Sequence, residues 1–440
     1  MEEITASIDS HWQEFLVLLQ KVMQVPSVKG KPAHHAPYGT EPRRVLDLVL
    51  AEAAAKGFKT NVIDDAIGYV QWGENSEEYI GVIGHLDVVP AGTGWDFPPF
   101  DLTEKAGRFY GRGILDNKGP IISCLYALFL LKKSGFVPKK TIRLIFGTDE
   151  ESGMSDIPHY LKSEKPPIFG FTPDCKYPVV YGERGVVNVT IQLPLDPEVL
   201  GQISQFLGDQ YRDHVPDQLG VTINGTTHQV TGKRSPSNAP EMGENAITLL
   251  TQKLKETEIP DQLQSYFRWI AESFHGKHYG EGIDLALADK DSGKLILTPV
   301  VLQKSETGLD LEVAFRYPVS ASEDEVLRRL AQQLPKGASY EVTRSIPGFC
   351  REKDSLEIQK LSMIYGEVTG NDPTPVTTTG ATYARKIPNT LAFGPSFPGQ
   401  KGIAHNKNEY MDVADLHMNL EIYLKVSRHC WNSFYSGRFL

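Results

Sequence analysis

The sequence predicts an α/β protein: a mostly parallel sheet flanked by helices, with an α+β domain inserted into the chain. Up to about residue 175, apolar runs of strand length alternate with amphipathic helical segments, as in parallel sheets that carry helices on their faces. From about residue 185, apolar and polar residues alternate, as in antiparallel strands with one solvated face. The earlier pattern returns near residue 349. We therefore predict a discontinuous first domain, 1–184 with 349–440, and an inserted domain, 185–348.

Each element is predicted from its hydrophobic period and from the residues at its ends. In the first domain, helices are predicted near residues 8–25, 42–56, 117–133, 354–368 and 413–434. Strands of this domain are predicted near 58–63, 68–72, 79–84, 110–115, 141–147, 168–173 and 389–393. In the inserted domain, helices are predicted near 197–207, 245–255, 260–274 and 323–334, and strands near 186–191, 220–224, 228–231, 294–303, 308–316 and 339–344.

The composition is that of an ordinary globular protein, and it excludes several functional classes. With 440 residues, of which 40% are hydrophobic and 23% charged, the chain is long enough for two domains with sizeable cores. Its formal net charge of -10 argues against a nucleic-acid partner, which needs a basic surface. Its apolar runs fall short of the roughly 20 residues that cross a bilayer, so no membrane association is expected.

Two features of the sequence favour a cytoplasmic location. The acidic first residues lack the basic and apolar regions of a signal peptide. The cysteines show neither the paired spacing of a disulfide framework nor that of a thiolate zinc site; they are Cys124, Cys175, Cys350 and Cys430. We therefore expect reduced thiols.

Acidic and histidine residues follow four of the predicted first-domain strands. They are His85 with Asp87, Asp116, the pair Glu150 and Glu151, and Asp174. In open α/β sheets, sites form beyond the carboxyl ends of the strands, so these segments are expected to converge on one cleft. Adjacent carboxylates in a poorly solvated place repel each other, and a cation is therefore expected among them.

The residue types suit zinc or manganese, and a pair of ions requires a carboxylate that can bridge them. Asp116 is the candidate bridge. His85 and Asp87 stand two residues apart and share one face of a strand, so Asp87 can orient the imidazole ring. Glu150 and Glu151 point in different directions because they are adjacent, so one can ligate a metal while the other faces the reacting water.

Five motifs resemble, in order, those of the dinuclear metallopeptidase family that includes PepV-type bacterial dipeptidases, carnosinases, aminoacylases and desuccinylases. The motifs are His85–Pro90, Gly113–Gly119, Thr148–Gly153, Pro173–Asp174 and Ala404–Tyr410. The segments Gly182–Gly185, Thr382–Arg385 and Ala392–Gly399 resemble the PepV-type branch in particular. The resemblance covers nearly the whole chain and implies a zinc-exopeptidase-like catalytic domain with an inserted lid domain.

The resemblance implies a role for each motif residue. His85 and Asp174 would hold one divalent ion, Glu151 and His405 the other, and Asp116 would lie between them. Zinc is the expected metal, with manganese or cobalt as alternatives. Glu150 would be the general base and later the acid, acting on a water activated between the ions, and Asp87 would be the orienting carboxylate. The implied reaction is hydrolysis of short peptides, above all dipeptides.

The inserted domain departs from the family pattern. The family's lid supplies an Asn, a His and an Arg to the substrate's carbonyl oxygen and carboxylate. Arg316 is retained, but Asp213 stands at the Asn position and Pro236 at the His position. Gly380 is also assigned to the substrate site. Loss of one oxyanion donor costs on the order of a hundred- to a thousand-fold in turnover, so weakened catalysis is expected. Whether His214 or His228 replaces the missing histidine is left open.

Three other functions are alternatives to dipeptide hydrolysis. A nucleotide-binding loop is excluded, because Gly111-Arg112-Gly113 lacks the third glycine of the dinucleotide motif. An amidohydrolase acting on N-acyl amino acids is one alternative. The other is a metal-binding, peptide-binding protein with little catalysis, which the residues Asp213 and Pro236 motivate. The expected partner is a small peptide substrate, and a monomer is favoured over a dimer.

Overall fold

In the computed structural model, which describes residues 2–75 and 77–433, the chain divides into two units. The first unit comprises Met1–Tyr181, Arg351–Val376 and Gly380–Leu440, and the second comprises Gly182–Cys350 and Thr377–Thr379. The domain boundaries drawn from the sequence remain a prediction.

Most α-helices lie close to their predicted positions. They are α1 (Glu2–Met23), α2 (Thr40–Ala55), α3 (Lys118–Lys133), α4 (Ile157–Ser163), α5 (Pro197–Gly201), α6 (Ala246–Leu254), α7 (Asp261–Phe274), α8 (Glu323–Gln333), α9 (Leu356–Thr369) and α10 (Val413–Ser433). Short 3-10 helices cover Pro240–Met242 and Tyr383–Arg385. The predicted end of the last helix at Phe434 and the thiol of Cys430 lie outside what the structure describes.

The strands include the predicted ones and several short additional ones. They are β1 (Lys59–Ile63), β2 (Ile67–Trp72), β3 (Tyr79–His85), β4 (Thr103–Lys105), β5 (Arg108–Tyr110), β6 (Thr141–Gly147), β7 (Phe169–Thr172), β8 (Cys175–Lys176), β9 (Val180–Glu183), β10 (Gly185–Pro194), β11 (Gln218–Ile223), β12 (Thr226–Thr231), β13 (Ala288–Asp289), β14 (Gly293–Lys294), β15 (Ile296–Lys304), β16 (Gly308–Tyr317), β17 (Ser339–Ile346), β18 (Phe349–Cys350), β19 (Val376–Thr378), β20 (Thr390–Ala392), β21 (Pro395–Ser396) and β22 (Tyr410–Asp412).

The first unit is organised around a sheet that includes, in order, β1-β2-β6-β3-β7-β20-β9. Its middle strands β6, β3, β7 and β20 run parallel, and the pairs on either side are antiparallel. Strands β3 and β6 are buried along their whole length, which is why both read as continuous apolar runs. His85 lies beside Gly147 in the register. The residues that follow these parallel strands therefore all lie at the carboxyl ends of the strands, on the same side of the sheet.

Helices cover this sheet and supply much of its core. Helix α3 packs against β3, α1 and α10, while α2 and α4 contact β1 and β2. Helix α3 is buried from Lys118 to Leu131, so its sequence is apolar on all sides. Among the described helices, none combines the length and the apolar character that crossing a membrane requires.

The second unit contains an antiparallel sheet of order β15-β16-β10-β17 with a core of its own. The predicted alternation of residues 186–191 is correct only in part. Strand β10 is buried on both faces as far as Val189 and gains a more exposed face from Thr190 onward. Asn188, for example, is buried and donates a hydrogen bond to Glu312 Oε1 at 3.1 Å.

The helix predicted for residues 197–207 is wrong beyond Gly201, where α5 ends. Ile203 and Leu207 instead form β-bridges with Ile223 and Gly220. Leu207 and Gly220 exchange two backbone hydrogen bonds of 2.8 Å each. Pairing with β11 therefore satisfies the backbone groups that a longer helix would have paired internally. Helix α4 was not predicted, because seven residues are too few to show a helical period.

Candidate metal centre

His85 stands at the end of β3 and is fully buried. Its Nε2 lies 3.0 Å from Asp116 Oδ1 and 3.7 Å from Asp174 Oδ2. Its Nδ1 lies 2.8 Å from the backbone oxygen of Asp87 and 3.6 Å from Asp87 Oδ1. The ring is thus held through one nitrogen, while the other nitrogen faces two carboxylates that come from different segments.

Asp116 lies in a loop, and the strand predicted for residues 110–115 is wrong, since β5 ends at Tyr110. The loop is apolar because it is buried, not because it belongs to the sheet. One carboxylate oxygen, Glu409 Oε1, accepts hydrogen bonds from the backbone amides of Gly113 (3.1 Å), Leu115 (2.9 Å) and Asp116 (3.1 Å). Glu409 therefore fixes the backbone that presents Asp116.

Asn117, the next residue, connects Asp116 with two other segments of the centre. Its Oδ1 accepts a hydrogen bond from the His85 amide at 3.2 Å, and its Nδ2 donates to the Pro173 oxygen at 2.5 Å. The segments that carry His85, Asp116 and Asp174 are thereby joined through one side chain. Addition of a Cβ at Gly84 would place it 2.5 Å from Asn117 Oδ1, so a side chain at position 84 would disrupt this contact.

His405 and Glu151 lie on the other side of Asp116. His405 Nε2 is 3.1 Å from Asp116 Oδ2 and 3.0 Å from Glu151 Oε2. His405 adopts a left-handed backbone conformation with φ of 64°, which is uncommon for a residue with a side chain. Its placement thus depends on the surrounding loop.

Two groups of ligand atoms share Asp116. One consists of His85, Asp116 and Asp174, the other of Asp116, Glu151 and His405, and within each group the ligand atoms lie within 4.8 Å of one another. Oδ1 of Asp116 faces the first group and Oδ2 faces the second. The structure thus brings together all five residues predicted to bind metal, and their role as ligands remains a prediction.

Asp87 connects the first histidine with the two adjacent glutamates. Its Oδ1 accepts a hydrogen bond from the Glu150 amide at 3.2 Å, and its Oδ2 accepts one from the Glu151 amide at 3.1 Å. Glu150 Oε1 and Glu151 Oε1 are buried and have no hydrogen-bond partner among the described residues. Buried carboxylate oxygens without partners are costly, so a further positive or donor group is expected here.

The electrostatics of the centre indicate that a cation belongs in it. Burial raises the pKa of Asp87 to about 7, and burial together with the charge of Asp116 raises the pKa of Asp174 to about 7. Burial and the charge of Asp174 raise the pKa of Glu150 well above its usual value. Burial alone would lower the pKa of His405, but its hydrogen bonds with Asp116 and Glu151 raise it to about 11. Negative charge therefore exceeds what the protein's own cations offset.

The donor set fits divalent metal ions. Imidazole nitrogen and carboxylate oxygen are ligands that zinc and manganese accept, and a carboxylate with one oxygen toward each group is the arrangement that a bridged pair of ions requires. The two partnerless oxygens of Glu150 and Glu151 provide further acceptor capacity. The residues present thus agree with divalent cations in chemistry and charge.

The other predicted site residues have different surroundings. In the second unit, Arg316 donates a hydrogen bond to the Thr379 oxygen at 2.7 Å. Asp213 Oδ1 lies 2.5 Å from His214 Nδ1, and His214 forms a β-bridge with Pro236. In the first unit, the Gly380 oxygen accepts a hydrogen bond from Arg385 at 2.8 Å. Their roles in substrate binding remain predictions.

Comparison with known proteins assigns the family. The description "Peptidase family M20/M25/M40" matches residues 81–429. A Bacillus subtilis protein named "Putative dipeptidase YtjP" is 31% identical over 94% of this chain and 95% of its own length. The chain belongs to peptidase family M20/M25/M40. The family predicted from the motifs is therefore confirmed, and with it an enzyme of the metallopeptidase class whose site takes divalent ions.

Other relatives in the M20 family agree with this assignment. A "Beta-Ala-Xaa dipeptidase" of Lactobacillus delbrueckii subsp. lactis is 28% identical over 89% of this chain and 90% of its own length. The solved structure of the di-peptidase Dug1p from Saccharomyces cerevisiae has a TM-score of 0.64 and 14% identity, covering 97% of this chain and 98% of that one. Human carnosine dipeptidase 1 has a TM-score of 0.60 at 16% identity, with the same coverage. These structures confirm the predicted α/β fold class.

Proposed function

We propose that this M20-family peptidase hydrolyses dipeptides with two divalent ions, zinc for preference, held by the five residues of the candidate metal centre. The observation that carries the proposal is the position of Asp116, whose two oxygens face different histidines at 3.0 Å and 3.1 Å. His85 and Asp174 would hold one ion, Glu151 and His405 the other, and Asp116 both. When bound, such ions supply Lewis-acid polarisation of the scissile carbonyl and lower the pKa of water.

Glu150 is proposed as the general base. It follows β6, its amide is fixed by Asp87 Oδ1 at 3.2 Å, and its Oε1 has no hydrogen-bond partner among the described residues. Burial raises its pKa, which brings the carboxylate closer to the range in which it both accepts and releases a proton near neutral pH. Glu150 would accept a proton from the attacking water and then donate it to the leaving amine.

Asp87 is proposed to orient this machinery. Its carboxylate accepts the amides of Glu150 and Glu151, and its backbone oxygen lies 2.8 Å from His85 Nδ1. Asp87 thus fixes the positions of Glu150, Glu151 and His85 relative to one another. Partners of this kind commonly change metal affinity or activity by about 10- to 100-fold when they are replaced.

Dipeptides are the proposed substrates because of the names that relatives carry, YtjP among them, together with the retained Arg316. An arginine can form a bidentate pair with a substrate carboxylate. Asp213 and Gly380 are proposed to lie in the substrate site, and residues 185–348 are proposed to act as a lid. A cytoplasmic monomer is the proposed context.

Two other functions are alternatives to dipeptide hydrolysis at this centre. One is hydrolysis of N-acyl amino acids by the same centre. The other is peptide binding with little turnover, which is favoured by Asp213 and Pro236 at positions where the family has Asn and His. In that case Asp213 would repel a carboxylate or an oxyanion instead of donating a hydrogen bond to it.

A substrate panel with defined metal content tests the proposal. Purified protein is analysed for bound elements and then assayed with dipeptides, β-alanyl dipeptides and N-acyl amino acids in the presence of zinc or manganese, with Glu150→Gln as the inactive control. We expect two ions per chain and preferential cleavage of dipeptides. Cleavage of N-acyl amino acids alone would favour the amidohydrolase, and bound metal without hydrolysis would favour the binding protein. A chain that binds no divalent ion would refute the proposed centre.

A further inference from the structure

A buried ion pair lies behind the candidate metal centre. Arg112 Nη1 donates a hydrogen bond to Glu409 Oε2 at 2.7 Å, and the two side chains are 1% and 0% exposed. Neither residue belongs to the five that were predicted to bind metal. Burial of two charges is costly unless they are paired and hydrogen-bonded, and of the Arg112 nitrogens only Nε has no hydrogen-bond partner among the described residues.

The second oxygen of Glu409 is used entirely by the loop that carries Asp116. Glu409 Oε1 accepts the amides of Gly113, Leu115 and Asp116, and the Glu409 backbone oxygen accepts the amide of Gly111 at 3.1 Å. Four amides of one loop thus converge on a single residue. No other residue in the described part of the chain is shown to accept three backbone amides of this loop.

The same ion pair reaches the segment that carries His405. Arg112 Nη2 donates to the His405 backbone oxygen at 3.4 Å, and the Arg112 guanidinium lies over the Trp95 ring at 5.2 Å. His405 and Asn408 both have left-handed backbone conformations, with φ of 64° and 57°. Such conformations persist where surrounding contacts determine them.

A short β-ladder sets the two loops side by side. Strand β5 pairs with β22, and Tyr110 opposite Tyr410 is the pair from which both loops depart. Asn408 then exchanges two hydrogen bonds with Asp96, accepting from its amide at 2.9 Å and donating to its carboxylate at 2.7 Å. The turn between His405 and Tyr410 is therefore anchored at both ends.

From these contacts we infer that Glu409, paired with Arg112, is the positioning residue that sets Asp116 and His405 at the separation required by the second metal ion. The inference rests on the proposed function. Both carboxylate oxygens of Glu409 accept hydrogen bonds from Arg112 or from the loop amides, so Glu409 is not a proposed ligand. It acts through the backbone of the Asp116 loop, and Arg112 holds the carboxylate in place while contacting the His405 backbone.

The inference predicts an asymmetric effect on metal binding. The ion of the Asp116, Glu151 and His405 group depends on both loops, whereas the ion of the His85, Asp116 and Asp174 group depends on only one. Glu409→Ala should therefore lower the affinity for the ion of the His405 group by about 10- to 100-fold, the range usual for residues that support metal ligands. The affinity for the ion of the Asp174 group should change by less than about 10-fold.

The test is metal titration of the apo protein by calorimetry, with zinc or manganese as the probe and elemental analysis after dialysis. His405→Ala serves as the reference variant, which should lose only the ion of the His405 group. After dialysis, Glu409→Ala should retain the same number of ions per chain as His405→Ala. Glu409→Gln should bind the ion of the Asp116, Glu151 and His405 group more tightly than Glu409→Ala does, because the glutamine oxygen can still accept the loop amides.

A matched control lies on the same ladder. Arg108 Nε donates to Asp412 Oδ1 at 2.8 Å across β5 and β22, and both side chains are partly exposed. Asp412→Asn removes an ion pair between the same segments without touching the Asp116 loop, so it should leave both ions in place. The melting temperature of each apo variant separates loss of fold from loss of metal.

Wild-type affinity for both ions in Glu409→Ala, or equal weakening of both, would overturn the inference. If Glu409→Ala does not fold, Glu409→Ala combined with Arg112→Met decides in the same way, because it removes the acceptor of the loop amides without leaving the Arg112 charge unpaired. A wild-type chain that binds no divalent ion would overturn the proposed function, and this inference with it. If the wild type binds both ions and a Glu409 variant does not, the result bears on the role of Glu409 and leaves the proposed function standing.

Discussion

Asp87 Oδ2 accepts the backbone amide of Glu151 at 3.1 Å, while Asp87 Oδ1 accepts that of Glu150 at 3.2 Å. The spacing of the two glutamates relative to His85 is thus set by one fully buried carboxylate. Because Glu150 and Glu151 are given different roles in the proposed reaction, their common support makes clear predictions possible.

Asp87→Asn should lower kcat for dipeptide hydrolysis by about 10- to 100-fold. The asparagine keeps one oxygen acceptor but turns an NH2 group toward one of the two backbone amides, which displaces the Glu150–Glu151 turn. Steady-state kinetics with a saturating metal concentration measures the effect. Asp101→Asn is the control, because Asp101 accepts hydrogen bonds from Leu102 and Gln24 outside the centre. Unchanged kcat in Asp87→Asn would contradict the proposed role.

Replacement of the adjacent glutamates should have different effects. Glu150→Gln should lower kcat by about 100- to 10,000-fold while both ions are retained, as expected for loss of a general base. Glu151→Gln should release the ion shared with His405, whose Nε2 lies 3.0 Å from Glu151 Oε2. Elemental analysis and kinetics on the two variants distinguish these outcomes. Equal metal loss in both variants would remove the basis for separate roles.

Removal of the metal should destabilise the first unit. The centre gathers the carboxylates of Asp87, Asp116, Glu150, Glu151 and Asp174, and a chelator leaves their repulsion unrelieved. Added zinc or manganese at about 100 times its dissociation constant should restore about 2.7 kcal/mol of stability per ion. Thermal unfolding with chelator, and then with excess metal, measures the change. A melting temperature that does not respond would argue against metal binding by the folded chain.

Arg143 should be important for stability and not for chemistry. It is fully buried, donates hydrogen bonds to Gln71, Tyr160 and Glu164, and lies against the rings of two tyrosines. Arg143→Met should cost about 2–4 kcal/mol of unfolding free energy, because it leaves Glu164 and the buried polar groups without their partner. Urea denaturation measures this cost.

Lys140→Met is the matched control for Arg143→Met. Lys140 directly precedes β6 and pairs with Glu78 at 3.3 Å; the Lys140 side chain is partly exposed and that of Glu78 is exposed. Exposed pairs contribute about 0–1 kcal/mol, so this variant should unfold close to wild type. Similar losses in the two variants would show that the burial of Arg143 is not what makes it stabilising.

Pro236→His should raise turnover of dipeptides if the missing lid histidine limits the reaction. Restoring one oxyanion donor is worth on the order of a hundred- to a thousand-fold in kcat. Pro236 forms a β-bridge with His214, so the companion variant His214→Ala in the wild-type background asks whether that neighbour already serves the purpose. No gain in Pro236→His together with a large loss in His214→Ala would mean that His214 has taken over.

Three of the segments that supply the candidate site were predictable because a buried parallel strand reads as an apolar run, and the first polar residues after it mark its end. This applies to His85 after β3, to the glutamate pair after β6 and to Asp174 after β7. Asp116 does lie near the other four residues, but the local reason for predicting it there was wrong, since residues 111–117 form a buried loop and not a strand end.

The support for that loop could not be predicted from local sequence. Glu409 stands in a polar segment and reads as a solvent-exposed side chain, and its burial depends on Arg112 and on loop amides that are distant in sequence. The same limit explains the end of α5 at Gly201, since the strand that pairs with Ile203 and Leu207 lies outside the helical pattern of residues 197–207. Periodicity reports which face of an element is apolar, not which partner will pair with its backbone.

Strand β20, Thr390–Ala392, lies between β7 and β9 in the sheet, and His405 follows it. During synthesis on the ribosome, β7 and β9 emerge long before the strand that separates them, because residues 184–389 are translated between β9 and β20. The nascent chain therefore carries an incomplete sheet, and the proposed metal centre lacks one of its five residues, until β20 and His405 have been translated.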